Sequence, residues 1–321
     1  MSSNYVQNVA LVGAGGNQGK YIAEELVKGG KHKVTAITRA ESNGVLPAGV
    51  VPQIVDYNDP ASLVEGLRGQ DVLIITMSVM APPETHQKLI DAAKAAGVKF
   101  LLPNEWGYDH ERDLKFAKEN LIGERNLKRR EDIDAAGLPW IAVAGGFWYE
   151  FSLGGGEYRY GFDIANREYT RINNGDIKLS TSTWEQVARG TVALLNLKIY
   201  PDNAVNKEST ISNYFGKSVC IESFNISQNE MFESLKRVTG TTDADWKIKT
   251  EDSGERYARA IKMMQEGSRI GYGLGMYTRA FFPDGAASMP NTVNSVFNLP
   301  KEDLDECTKG AIKFEETFKG Y

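Results

Sequence analysis

The sequence predicts an α/β fold with a doubly wound parallel sheet and, after it, a smaller α+β lobe. In roughly the first hundred residues, strand-length apolar runs alternate five times with helical patterns, as in parallel sheets that carry helices on both faces. Beyond the glycine triplet at 154–156, the predicted strands become short and scattered. We therefore expect a first domain at 1–152 and a second lobe at 153–321.

Each strand of the first domain is predicted from an apolar run that ends at a polar or turn residue. Asp59 and Pro60 are typical of a helix start. The charged segment 111–136 is predicted to be helical and to end at Gly137. The predicted strands are 9–12, 33–38, 50–55, 71–76, 98–102 and 139–144. Ligands of such sheets bind beyond the carboxyl ends of the strands, which here are followed by the segments 13–19, 39–43, 56–58, 76–80 and 103–110.

Three glycines, Gly13, Gly16 and Gly19, separate the first strand from the first helix. Without a Cβ the chain can turn sharply there, and a diphosphate can approach the backbone closely. The helix that follows offers unpaired N–H groups and the positive end of its dipole to an anion. This context predicts a dinucleotide-binding loop, with contacts from Gly13, Gly15, Gly16, Asn17, Gln18 and Gly19.

Arg39, at the end of the second strand, distinguishes the two nicotinamide dinucleotides. An acidic residue near this point binds the ribose 2′-hydroxyl of NAD, whereas an arginine pairs with the 2′-phosphate of NADP. Arg39 therefore favours NADP(H), and the alternative is a solvated arginine at a strand end. Further cofactor contacts are expected where the third, fourth and fifth strands end, from Asp56, Met77, Ser78, Pro103 and Asn104.

The second lobe gives fewer clear signals. Ser227 and Glu230 have the spacing of a capping box ahead of a helix. Strands are predicted near 168–172, 177–180, 218–224 and 245–249, and helices near 183–197, 227–239, 252–267 and 301–318. We expect the helix at 183–197 to pack back on the sheet. The glycine-rich stretch 271–285 is predicted to be a mobile flap or, equally, a loop without function.

Composition and charge exclude several classes of protein. The chain is 41% apolar and 25% charged with a net charge of −5, so nucleic acids and anionic membranes are poor partners. No apolar run reaches the length of a transmembrane helix, and the N-terminus lacks the features of a signal peptide. Three histidines without Cys or His neighbours argue against a metal site, and Cys220 and Cys307 are expected to be reduced. We expect a cytoplasmic monomer or homodimer.

Four features of the sequence can be compared with known families. They are the Gly13-x-x-Gly16-x-x-Gly19 motif, Arg39, the loop Pro103-Asn104-Glu105-Trp106-Gly107-Tyr108-Asp109, and Ala136-Gly137-Leu138-Pro139-Trp140 before a strand that ends in Gly-Gly-Phe. Together they resemble the NmrA-like, isoflavone reductase-like branch of the atypical short-chain dehydrogenases, over about the first 150 residues. The resemblance implies a Rossmann fold and NADP(H). It also implies reduction of phenolic natural products, as in plant members, or fungal-type tailoring of secondary metabolites, although some NmrA-like members only sense NADP(H).

The chain departs from the plant reductases at their catalytic lysine. Counting from Pro103 without gaps places Asn126 at that position. Lys128 lies about 200° further round the helix and should face away. Lys118 could reach a cleft only if the segment bends, so Asn126 and Lys118 are the candidates in this region. Asn126 shares its helix face with Ile122, Arg129 and Ile133.

Glu105 is the best remaining candidate for proton transfer. Desolvation between Trp106 and Tyr108 would raise its pKa and suit it to act as acid or base. The alternative is a structural glutamate that binds backbone N–H groups. Tyr108, His110 and Tyr149 are further candidates.

Aromatic residues follow the sixth strand, where a substrate pocket should open. Flat apolar rings suit an aromatic or polycyclic ligand and are equally consistent with packing between the lobes. The candidate substrate contacts are Trp106, Phe147, Trp148, Tyr149, Phe151, Met276 and Phe281. The expected function is NADPH-dependent hydride transfer to a C=N, C=C or C=O group of such a metabolite.

Three alternatives to this expected function are also consistent with the sequence. An iminium substrate fits the missing lysine because its carbon needs no separate proton donor. A cyclisation that needs NADP(H) but gives no net redox change would use Glu105 as base. In the third alternative, the protein is a catalytically silent NADP(H) sensor that binds a regulatory protein partner.

Overall fold

The computed structural model describes residues 3–78, 81–203, 205 and 208–317, and a parallel sheet lies at its centre. The strands are β1 (Asn8–Val12), β2 (Lys33–Thr38), β3 (Val51–Ile54), β4 (Val72–Ile75) and β5 (Phe100–Leu102). Their spatial order is β3-β2-β1-β4-β5. Every residue of β4 and β5 is buried, because helices cover both faces of the sheet. The doubly wound fold predicted from the sequence is confirmed.

The helices of this half cover the sheet and lead to a further strand. They are α1 (Asn17–Gly29), α2 (Pro60–Leu67), α3 (Glu84–Ala96), α4 (Leu114–Glu119) and α5 (Gly123–Ala136), and β6 (Ile141–Ala144) comes next. The Asp59 side chain accepts a hydrogen bond from the N–H of Ala61, as predicted for the start of α2. The charged segment forms two helices instead of one. The break lies at Leu121, whose φ is +66°.

The second half contributes small sheets and further helices. Its strands are β7 (Phe147–Trp148), β8 (Phe162–Asp163), β9 (Glu168–Ile172), β10 (Lys178–Ser182), β11 (Lys217–Cys220), β12 (Phe224–Ser227) and β13 (Lys247–Glu251). Its helices are α6 (Tyr149–Leu153), α7 (Trp184–Leu195), α8 (Gln228–Thr239), α9 (Ser253–Gln265), α10 (Arg269–Arg279) and α11 (Leu304–Thr317). Two sheets have the orders β12-β10-β7 and β13-β9-β8. The predicted capping box of Ser227 and Glu230 is present at the start of α8.

Two elements of the second half complete the first. β11 pairs in parallel with β6. β6 in turn meets β5, where the N–H of Leu101 donates to the carbonyl of Pro139 over 2.9 Å. α7 packs against α1, and its Val187 and Val192 belong to the same buried cluster as Val9 of β1. The helix expected near 183–197 corresponds to α7, which thus lies against the first half of the chain.

The stretch 271–285 is neither a flap nor a simple loop, because residues 269–279 form α10. α10 packs tightly on α9, so that a Cβ on Gly271 would lie 2.8 Å from the Cβ of Met263 and 2.9 Å from the carbonyl oxygen of Ala260. The glycines therefore serve close helix packing. The predicted strand at 218–224 also differs, since it is divided between β11 and β12.

Candidate active site

The glycine loop is a tight turn at the carboxyl end of β1. Gly13 has a φ of +84°, and a Cβ there would lie 2.3 Å from the carbonyl oxygen of Thr76, which follows β4. A Cβ on Gly19 would lie 2.1 Å from the carbonyl oxygen of Gly13. The N–H of Gly16 closes the turn by donating to the same oxygen over 2.9 Å. Glycine is therefore required at 13 and 19 by close contacts within the protein.

The start of α1 is open to an anion. Gly16 is its N-cap, so no side chain caps the helix, and its first turn contains no acidic residue. Gly15, Gly16 and Asn17 are exposed. Backbone N–H groups and the positive dipole end are thus available for a pyrophosphate, and the loop fits a dinucleotide. Gln18 differs from its neighbours, because its side chain is buried and donates to the carbonyl of Trp184 over 3.3 Å. Only the backbone of Gln18 faces the proposed site.

The loop after β2 forms a second wall beside the glycine loop. A Cβ on Gly15 would lie 3.1 Å from the Cα of Gly44, so the two loops touch. Arg39 is exposed at the beginning of this second loop. Asp56 is exposed too, but its carboxylate accepts the N–H of Asn58 over 2.8 Å and closes a local turn. Arg39 is thus an exposed cation at this edge of the sheet.

Asn104 joins the ends of β4 and β5. Its side-chain amide donates to the carbonyl of Met77 over 3.0 Å, and its own carbonyl accepts the guanidinium Nη1 of Arg129 over 2.8 Å. Pro103 is buried, whereas Met77 is half-buried and Ser78 is exposed. The remaining part of the predicted segment 76–80, Val79 and Met80, lies outside the described residues. Three predicted cofactor residues, Met77, Pro103 and Asn104, are therefore neighbours at one edge of the sheet.

Glu105 is held in a buried ion pair, and the expectation of a raised pKa is wrong. Its carboxylate is 2% exposed and accepts two hydrogen bonds from the guanidinium of Arg130, one of 3.0 Å from Nε. His110 Nδ1 lies 3.9 Å from the same carboxylate. Burial acts to raise the pKa of Glu105, but the hydrogen bonds and charges of His110 and Arg130 outweigh burial and lower it. Glu105 is a fixed anion that attaches α5 to the loop after β5.

Several other predicted site residues are core residues. The Trp106 indole donates to the carbonyl of Ile75 over 2.8 Å, and the Tyr108 hydroxyl donates to that of Ser180 over 3.1 Å. Burial raises the pKa of Tyr108 well above its usual value, which disfavours proton transfer. All of these side chains are at most 6% exposed, so they offer no surface to a substrate: Trp106, Tyr108, His110, Tyr149 and Phe281.

Asn126 of α5, which ungapped counting predicts at the position of the plant reductases' lysine, is buried. Asn126 is 2% exposed, and its side-chain oxygen accepts Nη1 of Arg129 over 3.2 Å. Lys128 is exposed and pairs with Asp132 at 2.7 Å, as its helical position predicts. Lys118 lies exposed on α4, a separate helix. Neither lysine reaches the place of Asn126.

Arg129 is a further candidate residue, to which the sequence analysis gave no role. It is half-buried and anchored through Nη1, while its Nε and Nη2 have no hydrogen-bond partner within the described parts of the chain. Burial, with a contribution from the charge of Arg125, lowers the pKa of Arg129 to about 10, so it stays charged at neutral pH. Tyr272 of α10 lies within electrostatic range of both arginines. The spacing of three residues from Asn126 was visible in the sequence and could have identified Arg129.

The remaining predicted substrate contacts keep partial exposure near the carboxyl end of β6. Phe147 stacks on Tyr277 of α10 with ring centroids 4.1 Å apart, and Trp148 contacts Phe151 edge-on at 6.0 Å. Met276 is half-buried on α10. Partly exposed aromatic surface is therefore present near the carboxyl end of β6.

Two further features concern residues 3–317, apart from the gaps named above. No group of three or more His, Cys, Asp or Glu side chains there could hold a metal ion. None of the helices in that part of the chain combines the length and the apolar character needed to cross a bilayer. Cys220 and Cys307 are free thiols, and burial raises their pKa values to about 11 and about 12.

Comparisons with known proteins agree with this geometry. A family model described as NAD(P)H-binding matches residues 13–195. Oxidoreductase aprR of Aspergillus flavus is 28% identical over 318 residues, which span 95% of this chain and 98% of the relative. Isoflavone reductase homolog P3 of Arabidopsis thaliana is 26% identical over 253 residues, or 71% of this chain and 80% of the relative. A solved structure of AtPrR2 with NADP+ and (+)pinoresinol matches with a TM-score of 0.74 at 18% identity, over 95% of this chain and 98% of that chain.

The matched family region begins at Gly13 and extends through α7. It contains the glycine loop, Arg39 and the edge formed by Asn104 and Arg129, and it is more than half of the chain. The structural match independently gives the same fold. The chain belongs to the NAD(P)H-binding family and is an NAD(P)H-dependent oxidoreductase of the isoflavone reductase-like type.

Proposed function

We propose that the protein is an NADPH-dependent reductase of an aromatic or polycyclic secondary metabolite that carries an oxygen at or next to the reacting carbon. The observation that carries this proposal is the partly free guanidinium of Arg129, anchored at the carboxyl end of β5 and within electrostatic range of Tyr272 of α10. The pinoresinol in the AtPrR2 structure, an aromatic small molecule, is consistent with it.

The residues proposed to hold NADP(H) lie at the carboxyl ends of β1 and β2. The exposed backbone of Gly15, Gly16 and Asn17 would bind the pyrophosphate, and Arg39 the 2′-phosphate. When bound, NADPH supplies the hydride. Asn104 joins the end of β5 to the segment after β4 through its hydrogen bond to Met77. It would thereby fix the backbone on which the nicotinamide ring would lie.

Arg129 would stabilise the negative charge that develops on the substrate oxygen. Preorganised donors aimed at such an oxygen contribute most to catalysis where water is excluded, and Arg129 is half-buried and fixed by two acceptors. The neighbouring charge of Arg125 strengthens a positive potential that attracts oxygen anions and repels cations. An iminium substrate is therefore less favoured than a carbonyl or a conjugated C=C group.

The proposal is tested by replacing Arg129 with alanine. Removal of one such donor typically lowers kcat by about 10²- to 10³-fold, and we expect that loss for reduction of an aromatic enone or ketone, followed by NADPH absorbance. NADPH affinity, measured by fluorescence, should stay unchanged. Lys128→Ala is the matched control, since it removes an exposed cation from the adjacent position of α5. Full activity of Arg129→Ala would refute the assigned role.

The sensor alternative is favoured by the ungapped count from Pro103, which predicts Asn126 where the plant reductases have their catalytic lysine. A sensor would bind NADPH, and the bound NADPH would stay reduced whichever metabolite extract is added. Titration of the NADPH-bound protein with crude metabolite extracts, followed by NADPH fluorescence, separates the two functions: cofactor oxidation by any extract supports the reductase, and binding without oxidation supports the sensor.

Arg39 should determine the preference for the phosphorylated cofactor. Because a hydrogen-bonded charge pair contributes about 1.5–3 kcal/mol, Arg39→Ala should weaken NADPH binding by about 10- to 100-fold and leave NADH binding nearly unchanged. Isothermal calorimetry measures both affinities. Arg68→Ala is the control, because Arg68 is exposed on α2 and pairs with Glu65. Equal affinity of the wild-type protein for NADH and NADPH would contradict this role.

A further inference from the structure

The reduction proposed above requires a proton for the substrate oxygen as well as a hydride for the carbon. Hydride addition to a carbonyl carbon places a negative charge on the oxygen, and the alcohol forms when that oxygen gains a proton. Arg129 can stabilise this charge but remains a cation, and Glu105 is a fixed anion bonded to Arg130. We propose, on the basis of the proposed function, that Tyr272 of α10 is the catalytic acid that donates this proton.

The middle of α10 packs against the junction of α4 and α5. Asn120 is 0% exposed in this junction, and its side-chain amide donates to the carbonyl of Met276 over 3.3 Å. A Cβ on Gly275 would lie 3.0 Å from Leu121 in the same junction. Tyr272 lies one turn before Gly275 and Met276. The packing therefore holds Tyr272 beside the beginning of α5.

Two arginines of α5 act on Tyr272. Arg125 and Arg129 are four residues apart, so they lie on one face of α5, and both are within electrostatic range of Tyr272. Glu119 of α4 is engaged elsewhere, because its carboxylate accepts Nε of Arg279 over 2.7 Å. The potential around the phenol is therefore positive, which attracts a substrate oxygen and stabilises the tyrosinate that proton donation leaves.

The hydroxyl of Tyr272 is available to a ligand. Tyr272 is half-buried, and its hydroxyl has no hydrogen-bond partner among the residues that the structure describes. The hydroxyls of neighbouring tyrosines already donate to, or share a proton with, protein oxygens: Tyr108, Tyr160, Tyr257 and Tyr277. The Tyr272 hydroxyl can therefore bond to a substrate without breaking a contact of the folded protein.

The protonation state of Tyr272 suits an acid. Burial raises the pKa of Tyr272 and outweighs the opposing charges of Arg125 and Arg129, so the phenol keeps its proton at neutral pH. In the reaction, the ketone carbon accepts the hydride and the carbonyl π electrons move to the oxygen. The O–H bond of Tyr272 then breaks, and its proton converts the oxygen anion to the alcohol. The tyrosinate regains a proton from water, and the ketone is reduced as NADPH is oxidised.

The test replaces Tyr272 with phenylalanine, which removes the proton and keeps the ring. The assay follows NADPH absorbance with whichever of acetophenone, benzophenone and chalcone the wild-type protein reduces fastest. We expect kcat to fall by about 10²- to 10⁴-fold, the usual contribution of a general acid, with little change in KM. Tyr257→Phe is the matched control with unchanged kcat, because the Tyr257 hydroxyl donates to the carbonyl of Glu119 over 2.7 Å.

A titration without substrate or cofactor tests the place of Tyr272 beside Arg129. The difference in ultraviolet absorbance between wild type and Tyr272→Phe follows the ionisation of this one phenol. The same difference measured in the Arg129→Ala background should appear at a higher pH, because a positive charge that favours the tyrosinate has been removed. Identical titrations with and without Arg129 overturn the proposal.

Failure of the Tyr272 assignment can be told apart from failure of the proposed function. If the wild-type protein oxidises NADPH with one of the probes and Tyr272→Phe is equally fast, the role of Tyr272 is refuted and the reductase stands. If the wild-type protein oxidises NADPH with none of them, the proposed reductase is refuted, and the proton donor with it. Tyr272→Phe should fold normally, since the hydroxyl it loses bonds to none of the described residues.

Discussion

Glu105→Gln should lower the free energy of unfolding by about 3–5 kcal/mol, the largest loss expected from a single substitution in this protein. The carboxylate is buried and accepts two hydrogen bonds from Arg130, whose side chain is 5% exposed. Without it, the guanidinium charge stays buried with only peripheral partners. Urea denaturation at pH 7 measures the difference.

Glu111→Gln is the matched control, because Arg130 also donates to Glu111 over 3.0 Å but that carboxylate is 64% exposed. Exposed pairs contribute about 1 kcal/mol or less. Equal losses in the two variants would contradict the buried-pair interpretation. Since the pKa of Glu105 is lowered in the folded state, its contribution is complete above the unfolded value of about 4.3 and is lost as the pH falls through the folded value. The gap between wild type and Glu105→Gln should therefore narrow in acid.

Gly19→Ala should have the largest combined effect on stability and cofactor binding. The added methyl would lie 2.1 Å from the Gly13 carbonyl oxygen and 2.5 Å from Oγ1 of Thr76. The Gly13 oxygen belongs to rigid backbone, so the glycine loop must move, which costs about 1–3 kcal/mol or more. The N–H groups at the start of α1 would move with it. We therefore expect NADPH affinity to fall by at least about 10-fold, measured by calorimetry on the folded variant.

Gly29→Ala tests whether this effect depends on position. Gly29 is the last residue of the same helix, and a Cβ there meets nothing within 4 Å. Replacing it should stabilise the protein by about 0.4–1 kcal/mol, because the unfolded chain loses conformational freedom. NADPH binding should not change. A weaker cofactor affinity in Gly29→Ala would show that α1 responds to any substitution. The loss of affinity in Gly19→Ala could then not be attributed to the close contacts at Gly19.

Local signals predicted most of the fold. The start of α2 at Pro60 and the start of α8 were visible because capping needs only residues within one turn of each other. The buried face of α5, with Asn126 and Ile133, followed from helical periodicity in the same way. Features that depend on residues close together in the sequence, such as helix caps and buried helix faces, can therefore be predicted from the sequence.

Contacts between distant residues could not be predicted in this way. Glu105 looked like a proton carrier because its partner, Arg130, is 25 residues away. The segment of α10 was predicted as a loop because its glycines have low helix propensity. In the structure these glycines allow close packing: a Cβ on Gly275 would lie 3.0 Å from Leu121, and a Cβ on Gly273 would lie 3.1 Å from Tyr158. Tertiary packing therefore outweighed local preference in α10.

The pairing of β11 with β6 limits how the molecule can be divided. A fragment ending at residue 152 would retain β6 but lose β11, and one border of the main sheet would then present free main-chain donors and acceptors to other molecules. The same cut would remove α7 and uncover the apolar flank of α1. Unprotected borders and flanks of this kind promote aggregation. We therefore expect a fragment that ends at residue 152 to be less soluble than the full chain.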